Sequence, residues 1–396
     1  MKFSITRFVC KNLCCLLLGC FLAILILGFN TRKKRIAYHR KNLHDFFHEQ
    51  IFPDWMIAQI AEDLSPYKEC GISLNAIDQA VQEYIGVVPH NAHELVRCHI
   101  RNGVISIGQP FLTERTWGRW NVIYQALMNL SHIIALPDVN FVMCVGDSLD
   151  PRAALLFKKY GIPVLTFAKF KEDSVAILIP DFEVLSEGFY EKVLLDTSQG
   201  RVLFPWSVKE GKAFWRGATT GADNAGCYSL YVHNYQEFPR VKLAFLSAKY
   251  PCLIDAKLTA LAQIGDARVF DFLAPYTGPV VSSINHLKYK YQILVDGNTC
   301  AYSRAYWQLF SDCLIFKQAS PNIQWYYRCL CPYVHYVPVA YDFGDLNEKI
   351  EWAENHDTEV QEIIANANDF AKKNLRKQDV YLYLYLLLKK YADLQK

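Results

Sequence analysis

Two kinds of residue in this chain could do chemistry together. One is an aspartate just past the end of an apolar run. The other is a set of arginines beside small residues at the ends of later runs. Phe141 to Val145 is a continuous apolar stretch followed by Gly146 and Asp147. In an open α/β sheet, ligands bind outside the carboxyl ends of the strands, which is where Asp147 falls. Asp147 reads equally well as a helix N-cap, although Asp150-Pro151 supplies a competing helix start. A second stretch, Lys288 to Arg304, runs from an apolar strand through Asp296-Gly297 and a small-residue loop into Arg304 and a helical pattern. A strand, a glycine turn and a helix start with a basic residue can hold a phosphate, because backbone N–H groups and the helix dipole both favour an anion there. The same sequence also serves many αβ units as a turn and nothing more. Trp215-Arg216-Gly217 repeats the pattern. Arg240 sits in the first turn of another helical stretch, where a positive charge is unfavourable unless an anion or solvent is near.

The elements that position these residues are legible from periodicity. Strands are expected at Val104–Ile107, Phe141–Val145, Ile162–Phe167, Ala176–Ile179, Lys212–Trp215, Ile293–Val295, Cys313–Phe316 and Val334–Val339. Helices are expected at 73–84, 115–130, 240–248 and 345–355, the last opened by a capping box of Asp345 and Glu348, and then from 357 to 375 and around 381–388. Connector chemistry near 185–200 divides the two halves. The expected organisation is a membrane anchor at 1–35, an α/β domain at 36–190 carrying Asp147, a second α/β domain at 191–378, and a C-terminal helix at 379–396 packing back on the body.

Bulk composition supports a packed protein and excludes some partners. Of the 396 residues, 52% are hydrophobic and 14% aromatic, which rules out disorder. A net charge of +3 is too small to argue for nucleic acid. The 13 cysteines include four in the N-terminal apolar stretch; the other nine are scattered and read as mostly reduced, buried thiols. Cys329 and Cys331 are too close for a zinc knuckle.

Leu13 to Phe29 is a run of 17 uncharged residues, extendable toward Phe8, with no small-residue cleavage site after it. A signal anchor over residues 8–29 is expected. More basic residues follow it than precede it, so the body is expected on the cytoplasmic side, with a lumenal type II arrangement as the alternative.

Taken together, the motifs resemble glycosyltransferase family 90, which holds protein O-glucosyltransferases, capsule-associated xylosyltransferases and lipopolysaccharide core glycosyltransferases. The carrying segments are Ala213-Phe214-Trp215-Arg216-Gly217, and Arg240 with Pro251 to Ala256. The strongest block is Lys288 to Tyr291 through Asp296-Gly297, Ala301-Tyr302, Arg304 and Phe316-Lys317-Gln318. Pro332-x-x-His335-Tyr336-Val337-Pro338-Val339 and Asp345-Leu346 complete the match. It covers roughly residues 130–376, while the N-terminal third matches poorly.

The resemblance implies a GT-B-like fold: α/β, with two Rossmann-like domains facing a cleft that holds a UDP-sugar donor. It implies an inverting, metal-independent transfer of glucose or xylose to a glycan, lipopolysaccharide or protein acceptor, with no cofactor. No Asp-x-Asp occurs in the chain, so arginines are expected to neutralise the diphosphate. By the resemblance, Asp147 is the catalytic base. Arg216, Gly217, Ala218 and Arg240 contact the donor, together with the loop of Gly297, Asn298, Thr299, Cys300, Ala301, Tyr302, Ser303 and Arg304. That loop is one residue longer than in animal relatives, with Ser303 as the insertion. Ala218 stands where donor-binding members often carry serine, which leaves the sugar open. His335-Tyr336 is expected to pack and to hydrogen-bond rather than to react. The rival readings are a nucleotide-sugar-binding protein without catalysis and another nucleotide-dependent transferase.

Overall fold

The computed structural model describes residues 52–89, 93–108 and 113–396, apart from the side chain of residue 115. The expected anchor at 8–29 lies outside them. Among the described residues no helix is long and apolar enough to cross a membrane. Residues 52–131 and 135–396 form one compact unit.

The unit is an α/β structure built on two five-stranded sheets. The first contains β1 (Leu95–Arg101), β2 (Val104–Gly108), β3 (Val139–Cys144), β4 (Val164–Thr166) and β6 (Ala176–Leu178), in the order β2-β1-β3-β4-β6. β3, β4 and β6 are parallel, and their residues are almost all buried, as continuous apolar runs require. β1 is antiparallel to both of its neighbours. Its hairpin with β2 turns on Asn102 (φ 49°) and Gly103 (φ 74°), a pair suited to a two-residue turn with two positive φ angles. The first sheet is therefore mixed.

The second sheet is all parallel. Its strands are β7 (Glu210–Ala218), β8 (Ile254–Ala260), β9 (Tyr289–Leu294), β10 (Leu314–Gln318) and β12 (Val337–Val339), in the order β12-β10-β9-β7-β8. Its core includes Ala213, Trp215, Tyr291, Ile293, Leu314 and Phe316. Two short strands that periodicity does not reveal, β5 (Lys169–Phe170) and β11 (Asn322–Ile323), pair antiparallel and tie the segment before β6 to the segment after β10.

The C-terminal helix Lys377–Ala392 packs back on the first sheet. Its Tyr383 hydroxyl donates to the Leu178 carbonyl (3.2 Å), and Tyr391 donates to that of Pro163 (3.5 Å). Two local expectations need correction. Asp345 does not close a capping box on helix Leu346–Asn355; its carboxylate accepts from the Ala340 N–H at 2.7 Å, fastening the chain after β12 instead. The nine described cysteines are free, but only Cys98, Cys144, Cys300 and Cys313 are buried, while Cys70, Cys252 and Cys331 are exposed.

Candidate active site

Asp147 emerges from the C-terminal end of β3, and Asp150, not Asp147, caps the next helix. Asp150 Oδ1 accepts from the backbone of Arg152 and Ala153. That leaves the Asp147 carboxylate for other partners. Arg119, on helix Glu114–Ser131, donates from Nη2 to Asp147 Oδ1 at 2.7 Å and from Nη1 to the Val145 carbonyl at 3.1 Å. The Arg119 guanidinium lies 4.5 Å from the centre of the Phe182 ring. The other carboxylate oxygen, Oδ2, accepts from Asn298 Nδ2 at 2.9 Å.

The loop after β9 is thus in direct contact with the aspartate across the two sheets. Thr299 Oγ1 and the Tyr302 hydroxyl both donate to the Asp147 carbonyl, at 3.1 and 2.5 Å. Tyr302 adopts φ 41°, which turns its ring back toward Asp147 before helix Ser303–Leu309 begins. Burial and the Asp147 charge push its phenol well above the usual range. Asn298 Oδ1 accepts from the Gly221 N–H (3.1 Å) and from Gln263 Nε2 (3.0 Å), so one amide joins the ends of β3, β7, β8 and β9. Ala301 receives the Arg304 N–H at 3.0 Å, Cys300 is buried, and Ser303 Oγ bonds Glu183.

Behind this loop stand two arginines. Arg240, in the first turn of helix Pro239–Lys249, donates to the carbonyls of Asp296 (2.8 Å) and Ala218 (3.2 Å) and to Thr220 Oγ1 (2.6 Å). It therefore laces the end of β7 to the end of β9. Gly297 lies against it: a Cβ there would come within 2.9 Å of Arg240 Nη2 and 3.1 Å of Thr220 Oγ1. Arg304 donates from Nη2 to the Arg216 carbonyl at 2.7 Å, and its buried Nη1 has no protein partner. Burial and the Arg304 charge push Arg240 down to about 9, and burial pushes Arg304 down to about 10. Among the described residues neither guanidinium has a carboxylate within ion-pair distance, in contrast to Arg216, whose Nη1 lies 2.8 Å from Asp255 Oδ1.

Arg216 also stacks over Phe214 at 4.3 Å. Its side chain is committed to β8, and only its carbonyl reaches Arg304. Thr219 is buried and exchanges hydrogen bonds with the backbone of Ala262, so Thr220 is the hydroxyl that meets Arg240. Lys288 and Lys290 pair with Glu210 and Asp357, at the opposite end of β9 from the loop. His335 packs edge-on against Phe370 and accepts from the Cys331 N–H at 3.0 Å, a packed and bonded histidine.

Residues 51–396 match the family described as Glycosyl transferase family 90. The chain belongs to that family. It is 30% identical over 350 residues to Protein O-glucosyltransferase 2 of Danio rerio, covering 82% of this chain and 63% of that protein. It is 28% identical to Protein O-glucosyltransferase 3 of Homo sapiens, over 68% of this chain and 50% of that protein. The chain therefore spans about half to two thirds of the length of these relatives. A crystal structure of HepE from Anabaena in complex with UDP and glucose is a distant likeness, with a TM-score of 0.40 and 10% identity over 68% of this chain and 76% of that one.

For this family-90 chain, sequence reading nominated Asp147 and the 297–304 loop as separate actors. The structure makes them one hydrogen-bonded assembly. Sequence reading missed Arg119, which carries no local signal: it lies on the exposed-to-buried boundary of an ordinary amphipathic helix. Only a three-dimensional contact over 28 positions links it to Asp147.

Proposed function

We propose that this chain is an inverting, metal-independent glycosyltransferase that moves glucose or xylose from a UDP-sugar to a hydroxyl of a protein or glycan acceptor, with no cofactor. The names of its relatives put glucose and a protein hydroxyl first. The observation that carries the proposal is a carboxylate and two guanidiniums without an ion-pair contact, gathered around one loop. A desolvated cation without a counter-charge is unfavourable, and a diphosphate would offset both Arg240 and Arg304 at once. In this reading the two sheets act as the halves of a GT-B arrangement, with the donor at their carboxyl ends.

The transfer is a single displacement. Asp147 takes the proton of the acceptor hydroxyl as that oxygen bonds the anomeric carbon. The bond from that carbon to the diphosphate oxygen breaks on the opposite face, so configuration inverts. UDP leaves with its charge set against Arg240, Arg304 and the loop N–H groups. We further place residues 8–29 in a membrane with the body on the cytoplasmic side, which protease protection in sealed vesicles would test.

The deciding experiment uses the full chain with UDP-glucose and UDP-xylose. Asp147→Asn is expected to lower turnover by about 10²–10⁴-fold while UDP binding persists. Turnover equal to wild type in that variant would move the base elsewhere. Activity is expected to survive excess EDTA; loss reversed by manganese would overturn the metal-free part.

A further inference from the structure

We infer that Arg119 is a positioning residue for this transfer: it commits Oδ1 of Asp147, so that Oδ2 is the oxygen that receives the acceptor's proton. The inference rests on the proposed role of Asp147 as base. It adds which oxygen acts and what holds it.

The geometry leaves the two oxygens in different surroundings. Oδ1 is bound by a guanidinium that is itself fixed at two further points, the Val145 carbonyl and the Phe182 ring. The side chains of both partners are mostly withdrawn from water, with 13% of Arg119 and 21% of Asp147 accessible. A charge-assisted bond in that setting is not readily exchanged for an acceptor hydroxyl. Oδ2 instead meets the neutral Asn298 amide, on the loop that also abuts Arg240 through Gly297. An amide hydrogen bond is the weaker of the two, and its donor lies on the side where the diphosphate would sit. A proton taken by Oδ2 therefore comes from an acceptor positioned between the base and the donor loop. The O–H bond breaks toward Oδ2 as the new C–O bond forms.

The other groups around Asp147 set the background against which Arg119 acts. From β3, the Cys144 thiol is pushed up to about 12, chiefly by burial. Glu94 lies against Gly146, where a Cβ would meet its carboxylate. The Tyr302 phenol comes from the β9 loop, and the Tyr228 phenol, raised by burial and by the Asp147 charge, from the segment after β7. None of these four side chains can carry a positive charge. Among the described residues, Arg119 is a cation bonded to the base.

The test is the pH dependence of UDP-glucose hydrolysis to UDP in wild type, Arg119→Met, Arg119→Lys and Asp147→Asn. Methionine keeps the packing against Phe182 but removes the charge. Its acid limb of kcat/KM is expected to move up by about one pH unit or more, since a neighbouring guanidinium favours the ionised carboxylate. Lysine keeps the charge without the fork, so its limb is expected to stay near that of wild type while kcat falls at unchanged donor KM. Thermal melting shows whether each variant is folded, and should methionine not fold, the lysine variant alone decides. An unmoved limb in Arg119→Met, or wild-type kcat in Arg119→Lys, with Asp147→Asn inactive, would overturn the role of Arg119 alone. A wild type that hydrolyses no donor, or an active Asp147→Asn, would instead overturn the proposed function.

Discussion

Lys169 is a buried cation and Arg304 a partly buried one with a buried Nη1, and they are held in opposite ways. Lys169 on β5 places its ammonium 2.8 Å from Asp63 Oδ1 and donates also to the carbonyls of Asp173 and Ala176. Asp63 Oδ2 accepts from the Leu178 N–H at 3.0 Å, so both charges are matched and both groups are bonded throughout. The Arg304 guanidinium has one protein hydrogen bond, to the Arg216 carbonyl, and a buried Nη1 with none. Near Lys169 the fold completes its own electrostatics. At the end of β9 the nearest carboxylates, Asp296 to Arg240 and Glu183 to Arg304, act only from beyond ion-pair contact, and under the proposed function a diphosphate would complete the balance. Asp181 is the acidic counterpart. It is fully buried; its Oδ1 caps helix Phe182–Leu185, and Oδ2 has no partner.

The contrast is broken most severely at Lys169. Lys169→Met leaves Asp63 buried opposite a thioether, and loss of one partner of a buried pair costs about 3–5 kcal/mol. Burial already pushes the Asp63 carboxyl up, with Lys169 holding it back. The expected result is a large drop in the urea midpoint at neutral pH. A loss below about 1 kcal/mol, the range of exposed pairs, would mean that water reaches this site and that the two regions differ less than their geometry suggests.

Asp181 tests the same idea through pH. Burial, ahead of the opposing backbone hydrogen bonds, pushes its carboxyl from 3.8 up to about 7. The folded protein then keeps a proton that the unfolded chain releases from about pH 4 upward. Its contribution to stability is complete below the unfolded value and is lost as pH rises through about 7, at up to ~1.4 kcal/mol per pH unit. Asp181→Asn keeps a capping oxygen and cannot ionise. Its stability relative to wild type is therefore expected to improve between about pH 5 and about pH 8. Denaturation curves that keep the same separation at both values would show that Asp181 does not titrate in this window.

The strands β3, β4, β6 and β10 were legible because each carries an apolar run bounded by glycine, proline or charge, whereas Lys290 and Gln292 interrupt β9, of which the expected strand Ile293–Val295 covers only the last two residues. The arginines were legible as types in place, at strand and helix ends. Their partners were not. Arg216 and Arg240 look alike locally, yet one pairs with Asp255 while the other hydrogen-bonds carbonyls and a hydroxyl and lies over the Trp215 ring, a difference set by which strand lies alongside. Lys169 and Asp63 are 106 positions apart, and Asn298 and Asp147 are 151 apart. Periodicity reports which face an element buries, not which polar side chain of another element waits there. The two-residue strands β5 and β11 are too short to show any period. The expected capping box failed for the same reason: Asp345 had a nearer N–H across the turn than those of its own helix.

Arg304 gives the smallest stability change and the sharpest test of the comparison. Arg304→Met removes a partly buried charge that has no carboxylate within ion-pair distance among the described residues, and gives up a single side-chain hydrogen bond. Replacing such a charge by an apolar side chain of similar length is expected to leave the unfolding free energy of the free protein within about 1 kcal/mol of wild type. The effect should appear only when ligand is added. A ligand that binds the folded state stabilises it by about 2.7 kcal/mol at a hundredfold excess over Kd. UDP should thus raise the melting temperature of wild type and of Asp147→Asn, and raise that of Arg304→Met little or not at all. If Arg304→Met instead destabilises the free protein as severely as Lys169→Met, then Arg304 is a structural cation. The charge behind the loop would then belong to the fold rather than to the donor.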